Sequence, residues 1–314
     1  MTGPQVVALG GGHGLAASLQ ALRRVTDGVT AVVTVADDGG SSGRLRRELG
    51  VLPPGDLRMA LAALCGDDAW GQTWMRVVQH RFRSGGELHD HSVGNLLMVA
   101  LWEQLGEPVA GLDLLGRLLG VRGRVLPMSL VPLDIEAVVH DPDEPEGYRL
   151  VRGQVSVATS SAPVTGVALL PVDPPACPDA VQAVLDADWV VLGPGSWFTS
   201  VLPHLLVPDL AKALVTTSAR RVVTLNLEPQ PGETAGFSPE AYLEVLSAHA
   251  PDLRLDVVLV DPGTIHDQRS LERVSAGLGA RLVVAPVAAG DGSARHDPEQ
   301  LAVAYRTLFS DGRI

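Results

Sequence analysis

The chain has 314 residues, of which 46% are hydrophobic and 19% are charged, and its formal net charge is −12 at pH 7. This length allows one large α/β domain or two ordinary domains with a substantial buried core. The acidic balance argues against a nucleic-acid or membrane-surface partner, since either would favour a basic face, but a local glycine loop can still bind an anion.

The start of the chain predicts a buried strand, a sharp turn and a helix. The apolar run Val6–Leu9 comes first, and Leu15, Leu19 and Leu22 later recur at helical spacing. Glycines between them lower the steric cost of a turn, and a helix N-terminus behind such a turn attracts anions. The segment predicts a binding site for a phosphorylated ligand. The alternative is a strand-to-helix turn that needs its glycines for packing alone. Its candidate ligand contacts are Gly10, Gly11, Gly12, His13 and Gly14.

A second apolar run, Thr30–Val35, leads into a block of acidic and small residues. Carboxylates at the end of the second strand bind ribose hydroxyls in nucleotide-binding α/β proteins. Paired carboxylates also suit Mg²⁺, which prefers oxygen ligands, so Asp37 and Asp38 are the candidate magnesium residues. A solvated turn with helix caps is the alternative. The candidate ligand contacts of this block are Asp37, Asp38, Gly39, Ser41 and Ser42.

Three helices are predicted in the next part of the chain. Asp56 is expected to cap a helix over Leu57–Leu64, after a Pro-Pro-Gly stop signal. Helical patterns follow at Trp70–Phe82 and at Val93–Leu105, with Ser92 as the N-cap of the last.

A histidine-containing loop precedes the third of these helices. The alternation of His89 and His91 is weak support for a metal site. We expect the loop to line a ligand cleft instead, with His91 and Asn95 as hydrogen-bond partners.

The pattern changes to strict alternation near the middle of the chain. Ile135–His140 and Tyr148–Val157 alternate between apolar and polar residues, and the acidic loop Asp141–Gly147 joins them. This pattern predicts an antiparallel hairpin, inserted at about residues 134–159.

The second half returns to short apolar runs and ends with a helix. The runs are Trp189–Leu192, Arg221–Leu227, Leu255–Val260 and Arg281–Ala285, and the helix is Pro298–Leu308. Such runs, alternating with helices, predict an α/β fold with a mostly parallel sheet and helices on both faces. Since no linker-like segment interrupts the pattern, residues 1–314 are expected to form a single domain.

A second glycine turn follows the run that ends at Leu192, and its candidate ligand contacts are Gly193, Gly195 and Ser196. Both glycine turns should lie at the carboxyl ends of parallel strands, so we expect them to face one crevice. A serine-hydrolase elbow is disfavoured because Phe198 stands where its last glycine belongs.

Two further residues are candidate ligand contacts. Asn226 lies near the end of an apolar run that leads into a turn. Arg295 precedes a helix whose predicted N-cap is Asp297, and its guanidinium could pair with a phosphate. A surface pair between arginine and aspartate is the alternative for Arg295.

The cellular location of the protein is inferred from its cysteines and its apolar runs. Cys65 and Cys177 fit no metal-ligand spacing and are expected to be buried free thiols. The first apolar run is too short for a signal peptide, and no apolar stretch is long enough to span a bilayer. We therefore expect a cytoplasmic protein.

Seven blocks in chain order resemble the bacterial gluconeogenesis-factor family (YvcK type). The related 2-phospho-lactate transferases (CofD type) share the glycine loop and the Asp-Asp block. The blocks are Gly10–Gly14, Thr34–Arg46, Leu52–Arg58, His91–Leu97, Gly193–Pro203, Gln230–Thr234 and Arg295–Pro298.

The resemblance implies a Rossmann-like core, a cytoplasmic location and binding of UDP-glucose or UDP-N-acetylglucosamine. It also implies a role in cell shape and wall synthesis during growth on gluconeogenic carbon sources, without a known enzymatic activity. Val274 stands near the position where the family is expected to have a tyrosine. A homodimer is an open alternative for the assembly of the protein.

Two enzymatic alternatives stay open as well. One is a Mg²⁺-dependent phosphoryl transferase of the phospholactate type, in which catalysis would be mostly positioning and charge neutralisation. The other is an NAD-dependent enzyme, which is disfavoured because the dinucleotide fingerprint is met only in a relaxed form, at Gly12, Gly14 and Ala17.

Overall fold

Ten strands are found in the computed structural model, which describes residues 3–141, 143–144, 146–160 and 162–310. The strands are β1 (Val6–Gly10), β2 (Val29–Val33), β3 (Arg124–Pro127), β4 (Asp134–His140), β5 (Tyr148–Arg152), β6 (Val164–Leu170), β7 (Trp189–Leu192), β8 (Arg220–Thr224), β9 (Val257–Val260) and β10 (Arg281–Val284). Seven of them form a parallel sheet in the order β10-β9-β8-β7-β1-β2-β3.

Twelve α-helices occur in the described residues. They are α1 (Gly12–Leu22), α2 (Gly40–Leu49), α3 (Pro54–Leu64), α4 (Ala69–Gln79), α5 (Val93–Leu105), α6 (Pro108–Leu119), α7 (Gln154–Ala158), α8 (Pro178–Asp186), α9 (Pro208–Thr216), α10 (Pro239–His249), α11 (Gln268–Gly277) and α12 (Pro298–Ser310).

The parallel sheet is covered on both faces. Every residue of β1, β7 and β9 is buried, although successive side chains point to opposite faces of a strand. This burial explains why these strands are continuous apolar runs, and it confirms the predicted Rossmann-like α/β fold.

The strand order places a crevice between β1 and β7. From β1 the chain proceeds to β2 and β3 on one side, whereas β7 to β10 extend the sheet on the other side. Open parallel sheets bind ligands at the carboxyl ends of the two strands where the order reverses. Both predicted glycine turns follow these two strands.

The predicted hairpin is a three-stranded antiparallel sheet. β4 pairs with β5 on one side and with β6 on the other. The predicted second strand continued to Val157, but β5 ends at Arg152, because Gly153 has φ +99° and the short helix α7 follows. We call residues 134–170, the small sheet together with α7, the insert.

The helix predictions were correct in position and less so at their ends. α5 has the predicted bounds, and the Ser92 side chain accepts from the Asn95 N–H. Asp56 does not cap α3, because that helix already begins at Pro54, a residue that favours the first helical position. The second predicted helix, Trp70–Phe82, is α4, which ends three residues before Phe82 and is capped by Asp68.

Within the part of the chain that the structure describes, no single helix is long and apolar enough to cross a membrane. One bent pair, Trp197–Leu206 with Pro208–Thr216, is compatible by length and composition alone, with 81° between its two parts.

Candidate functional site

The two glycine turns touch each other at the carboxyl edge of the parallel sheet. α1 begins at Gly12, whose φ is +58°, and the second turn contains Gly193 with φ +73°. A Cβ atom on Gly14 would overlap the Pro194 carbonyl oxygen and lie 2.6 Å from Gly195 Cα. Only glycine permits this backbone contact, so the turns share one crevice, as the sequence predicted.

Two cavities open on either side of this contact, and His13, Gly14, Gly195 and Gln230 line both of them. The larger one, which we call the outer cleft, has a volume of about 620 Å³. The smaller one, which we call the turn cavity, has a volume of about 280 Å³. The outer cleft is also lined by Gln20, Asn226, Arg295 and His296, and the turn cavity by Gly12, Asp56, Gln154, Ser196 and Ser200.

The first turn has a carboxylate at its inner side. The Asp56 carboxylate accepts hydrogen bonds from the Gly12 N–H and from the Thr34 hydroxyl, the latter at 3.0 Å. Burial and the charge of Asp37 raise the pKa of Asp56 to about 6. A Cβ atom on Gly11 would lie 2.6 Å from Asp56 Oδ2, which explains the glycine there.

Several hydrogen-bonding groups of the second turn are paired with side chains of the same protein. The Gly195 N–H donates to Asn226 Oδ1 at 2.9 Å, and Asn226 Nδ2 donates to the Gly195 carbonyl at 2.8 Å. The Trp197 N–H donates to Glu233 Oε2 at 3.1 Å, and the Ser196 hydroxyl donates to Gln230 at 3.0 Å. The N–H groups of Gly195 and Trp197 are therefore already paired within the protein.

The predicted carboxylate pair is divided between two partners. Asp37 Oδ1 accepts from the Gly39 N–H at 2.9 Å, and its Oδ2 lies beside Gly55. Asp38 Oδ1 instead accepts from the Val155 N–H of the insert at 3.0 Å. Over the described ranges, no group of three or more His, Cys, Asp or Glu side chains is arranged to hold a metal ion.

Ser41, Ser42 and Asn95 lie behind the site. Both serines are buried in the first turn of α2, and the Ser41 hydroxyl contacts His91 Nδ1 and accepts from Asn95 Nδ2, each at 3.0 Å. Asn95 Oδ1 in turn accepts from Arg58 Nε at 3.0 Å. In the described structure, none of these side chains lines the turn cavity or the outer cleft. Their assignment as ligand contacts stays a prediction.

The far side of the outer cleft carries Arg295 and His296. The Arg295 side chain is 76% exposed and pairs with Asp291 at 3.2 Å. His296 Nε2 lies 3.2 Å from the Leu225 carbonyl oxygen, and burial lowers the pKa of this histidine to about 4. Arg295 thus forms an arginine–aspartate surface pair, the alternative given by the sequence, and it lines the outer cleft together with the acidic residues Glu228 and Asp297. Its contact with a ligand stays a prediction.

Comparison with known proteins identifies the family. The model described as 2-phospho-L-lactate transferase CofD matches residues 6–286. The chain belongs to the CofD family. A Mycobacterium tuberculosis member with a provisional gluconeogenesis-factor name is 56% identical over 301 residues, covering 95% of this chain and 88% of the relative. The gluconeogenesis factor of Bacillus subtilis is 36% identical over 275 residues, covering 87% and 84%.

A solved structure agrees with these relatives. The crystal structure of a UPF0052-family protein from Bacillus halodurans matches this CofD-family chain with a TM-score of 0.86 and 33% sequence identity. The match covers 97% of this chain and 99% of the other. The resemblance drawn from the seven sequence blocks is therefore confirmed, together with the fold that it implies.

Sequence reasoning missed several cavity residues of this CofD-family chain. Asp56 was interpreted as a helix cap, although its position in the Leu52–Arg58 block was a usable signal. Gln154 was placed on a strand, whereas it begins α7 and faces the turn cavity. Ser200 was not among the candidate ligand contacts, although its position in the Gly193–Pro203 block was a similar signal.

Proposed function

We propose that this chain binds a nucleotide sugar, UDP-glucose or UDP-N-acetylglucosamine, with its diphosphate at the first glycine turn. In this proposal it acts in the cytoplasm as a regulatory factor for cell shape and wall synthesis under gluconeogenic growth, without turnover. The observation that carries the proposal is that His13 and Gly14, in the first turn of α1, line both cavities.

The first turn offers donors to an anion. The first backbone hydrogen bond of α1 runs from the Leu15 N–H to the Gly11 carbonyl, so the preceding N–H groups have no acceptor within the helix. Asp56 uses the N–H of Gly12, which leaves those of His13 and Gly14 at the junction of the cavities. The positive end of the α1 dipole favours a phosphate at the same place.

The shape of the site suits a ligand with two parts. Two cavities that join at the donors can accept the nucleoside on one side of a diphosphate and the sugar on the other. The larger cavity, at about 620 Å³, has a size typical of small-molecule sites. Arg295 can add a charged hydrogen bond to the phosphates.

The names of the relatives support the regulatory part of the proposal. Proteins described as gluconeogenesis factors cover most of this chain at 36–56% identity. Ser41, whose hydroxyl contacts His91, is buried and lines neither the turn cavity nor the outer cleft, so this serine–histidine pair does not face a ligand bound there.

A second candidate is Mg²⁺-dependent phosphoryl transfer, which the name of the family model suggests. One observation favours it: Asp37 Oδ2 lies beside Gly55, the residue before Asp56, and the charge of Asp37 raises the pKa of Asp56. Two carboxylates that share a region can hold Mg²⁺ beside a phosphate. Asp37 would then act with Asp56, because Asp38 bonds to the insert.

Calorimetry tests the proposal. We expect UDP-glucose or UDP-N-acetylglucosamine to bind without Mg²⁺, and NAD to bind at least tenfold more weakly. Arg295→Ala should weaken UDP-sugar binding about tenfold, since a hydrogen bond to a charged group is lost. Arg273→Ala, which removes an exposed arginine of α11, is the matched control and should leave the affinity unchanged.

Two results would contradict this function. One is the absence of any heat of binding with either UDP-sugar. The other is a new phosphate ester or anhydride, seen by phosphorus NMR only with Mg²⁺, which would establish the transferase.

A further inference from the structure

The insert is attached to the site through one carboxylate. Asp38 Oδ1 accepts from the Val155 N–H at 3.0 Å, across 117 positions of sequence. The fit around this bond is close: a Cβ atom on Gly153 would overlap Asp38 Oδ2, and one on Gly39 would lie 2.8 Å from Val155 Cγ2. Two glycines are therefore needed for α7 to approach Asp38.

α7 forms one wall of the turn cavity. Gln154, Val155 and Ala158 line it, opposite the glycines of the first turn. The end of α7 is also held from the other side, because a Cβ atom on Gly232 would lie 3.0 Å from the Ala158 carbonyl oxygen. The insert therefore completes the cavity in which part of a ligand would lie.

Asp38 stands outside this cavity. Among the residues that line the turn cavity and the outer cleft, Asp56 and Gln154 are present and Asp38 is not. Its neighbour Asp37 has different contacts, since its Oδ1 accepts from the Gly39 N–H and its Oδ2 lies beside Gly55. The carboxylate pair thus has two separate tasks, although its members are adjacent in sequence.

We propose that Asp38 is a positioning residue that holds α7 as a wall of the turn cavity and contacts neither ligand nor metal. The effect on ligand affinity rests on the proposed function, whereas the docking of α7 does not. What α7 requires from residue 38 is an oxygen acceptor for the Val155 N–H. Asparagine retains that acceptor without the charge, and alanine removes it.

Hydrogen exchange of the segment 148–160 tests the docking directly. Asp38→Ala should speed exchange of this segment at least tenfold, and Asp38→Asn should leave it within about threefold of the parent. Asp143→Ala, which removes a surface carboxylate from the loop between β4 and β5, is the charge control and should change nothing. Unchanged exchange in Asp38→Ala would overturn the proposal. Should that variant fail to fold, Gly153→Ala disturbs the same contact from the α7 side and should speed exchange equally.

Binding of UDP-glucose, with and without Mg²⁺, separates positioning from direct contact. Asp38→Ala should lose affinity about tenfold or more in both conditions, and Asp38→Asn should recover most of it. An equal loss in both variants, or a loss seen only with Mg²⁺, would make Asp38 a ligand or metal residue and overturn the proposal. If the parent does not bind UDP-glucose, the proposed function fails, and hydrogen exchange alone still decides the role of Asp38.

Discussion

The two glycine turns arise from the same sequence pattern and have different donor groups available. Each follows a fully buried strand, and each precedes a helical segment. In the second turn, Asn226 already binds the N–H of Gly195 and Glu233 that of Trp197. In the first, Asp56 binds the N–H of Gly12 and leaves the next two at the cavities. A glycine pattern therefore predicts the bend, whereas side chains from distant segments decide which turn can bind a ligand.

The carboxylates at the two turns differ in the same way. Glu233 is 1% exposed and lines neither cavity in the described structure, so its bond to Trp197 braces the second turn. Asp56 lines the turn cavity and lies beside the donors proposed for the ligand. Burial raises the pKa of both groups, but only the carboxylate of Asp56 can meet a ligand.

The contact between the turns gives the largest expected effect. Gly14→Ala would force its methyl group into the Pro194–Gly195 backbone, which cannot rotate away, and should cost about 3 kcal/mol of unfolding free energy. Gly12→Ala is the matched control: its Cβ meets nothing within 4 Å, and only the φ of +58° opposes it, at about 1 kcal/mol. Urea denaturation measures both. Equal costs would show that the two turns do not pack as described.

The two hydrogen bonds between Asn226 and Gly195, which brace the second turn, give an intermediate effect. Asn226→Ala removes both hydrogen bonds to Gly195 and should lower the unfolding free energy by about 2 kcal/mol. Thr34→Val is the counterpart at the first turn: it removes one hydrogen bond, to Asp56, and should cost about 1 kcal/mol. If Asn226→Ala unfolds at the same urea concentration as the parent, the second turn does not depend on this brace.

The sequence predicted the strands and helices whose ends are set by neighbouring residues. β1 and α5 were predicted nearly to the residue, because a continuous apolar run and a serine cap act over short distances. α7 was missed because Val155 and Val157 alternate like strand residues, while the positive φ of Gly153 ends the strand before them.

The tasks of the site residues could not be predicted in the same way. Nothing near Asp38 shows that the N–H group donating to it lies in the insert, and nothing near Asn226 shows that it holds Gly195. Both partnerships depend on the strand order, which brings distant segments together only in the folded chain. The sequence therefore predicted a candidate site at two turns that the fold brings together, but could not assign the roles of the polar groups around them.

The smallest expected effect is the pH dependence of the unfolding free energy that the Asp56 carboxylate causes. Because the folded pKa of Asp56 is raised from 3.8 to about 6, its ionised form opposes folding above about pH 6, and this cost is relieved as the pH falls from 6 towards 4. Asp56→Asn should therefore be more stable than the parent at pH 7 by about 1 kcal/mol, after the loss of part of its hydrogen bonding, with no advantage near pH 4. His204 and His296 have folded pKa values lowered to about 4, so they destabilise parent and variant alike between pH 6.5 and 4. Their contribution therefore cancels in the stability difference between the two proteins.

Glu233→Gln is the matched control at the second turn. It should show the same direction of stability change, since burial also raises the pKa of Glu233. It should leave UDP-glucose affinity unaltered, whereas Asp56→Asn should change that affinity. A stability difference that is constant from pH 4 to pH 8 would mean that Asp56 is not destabilised by its charge, and the contrast between the two turns would then depend on their N–H groups alone.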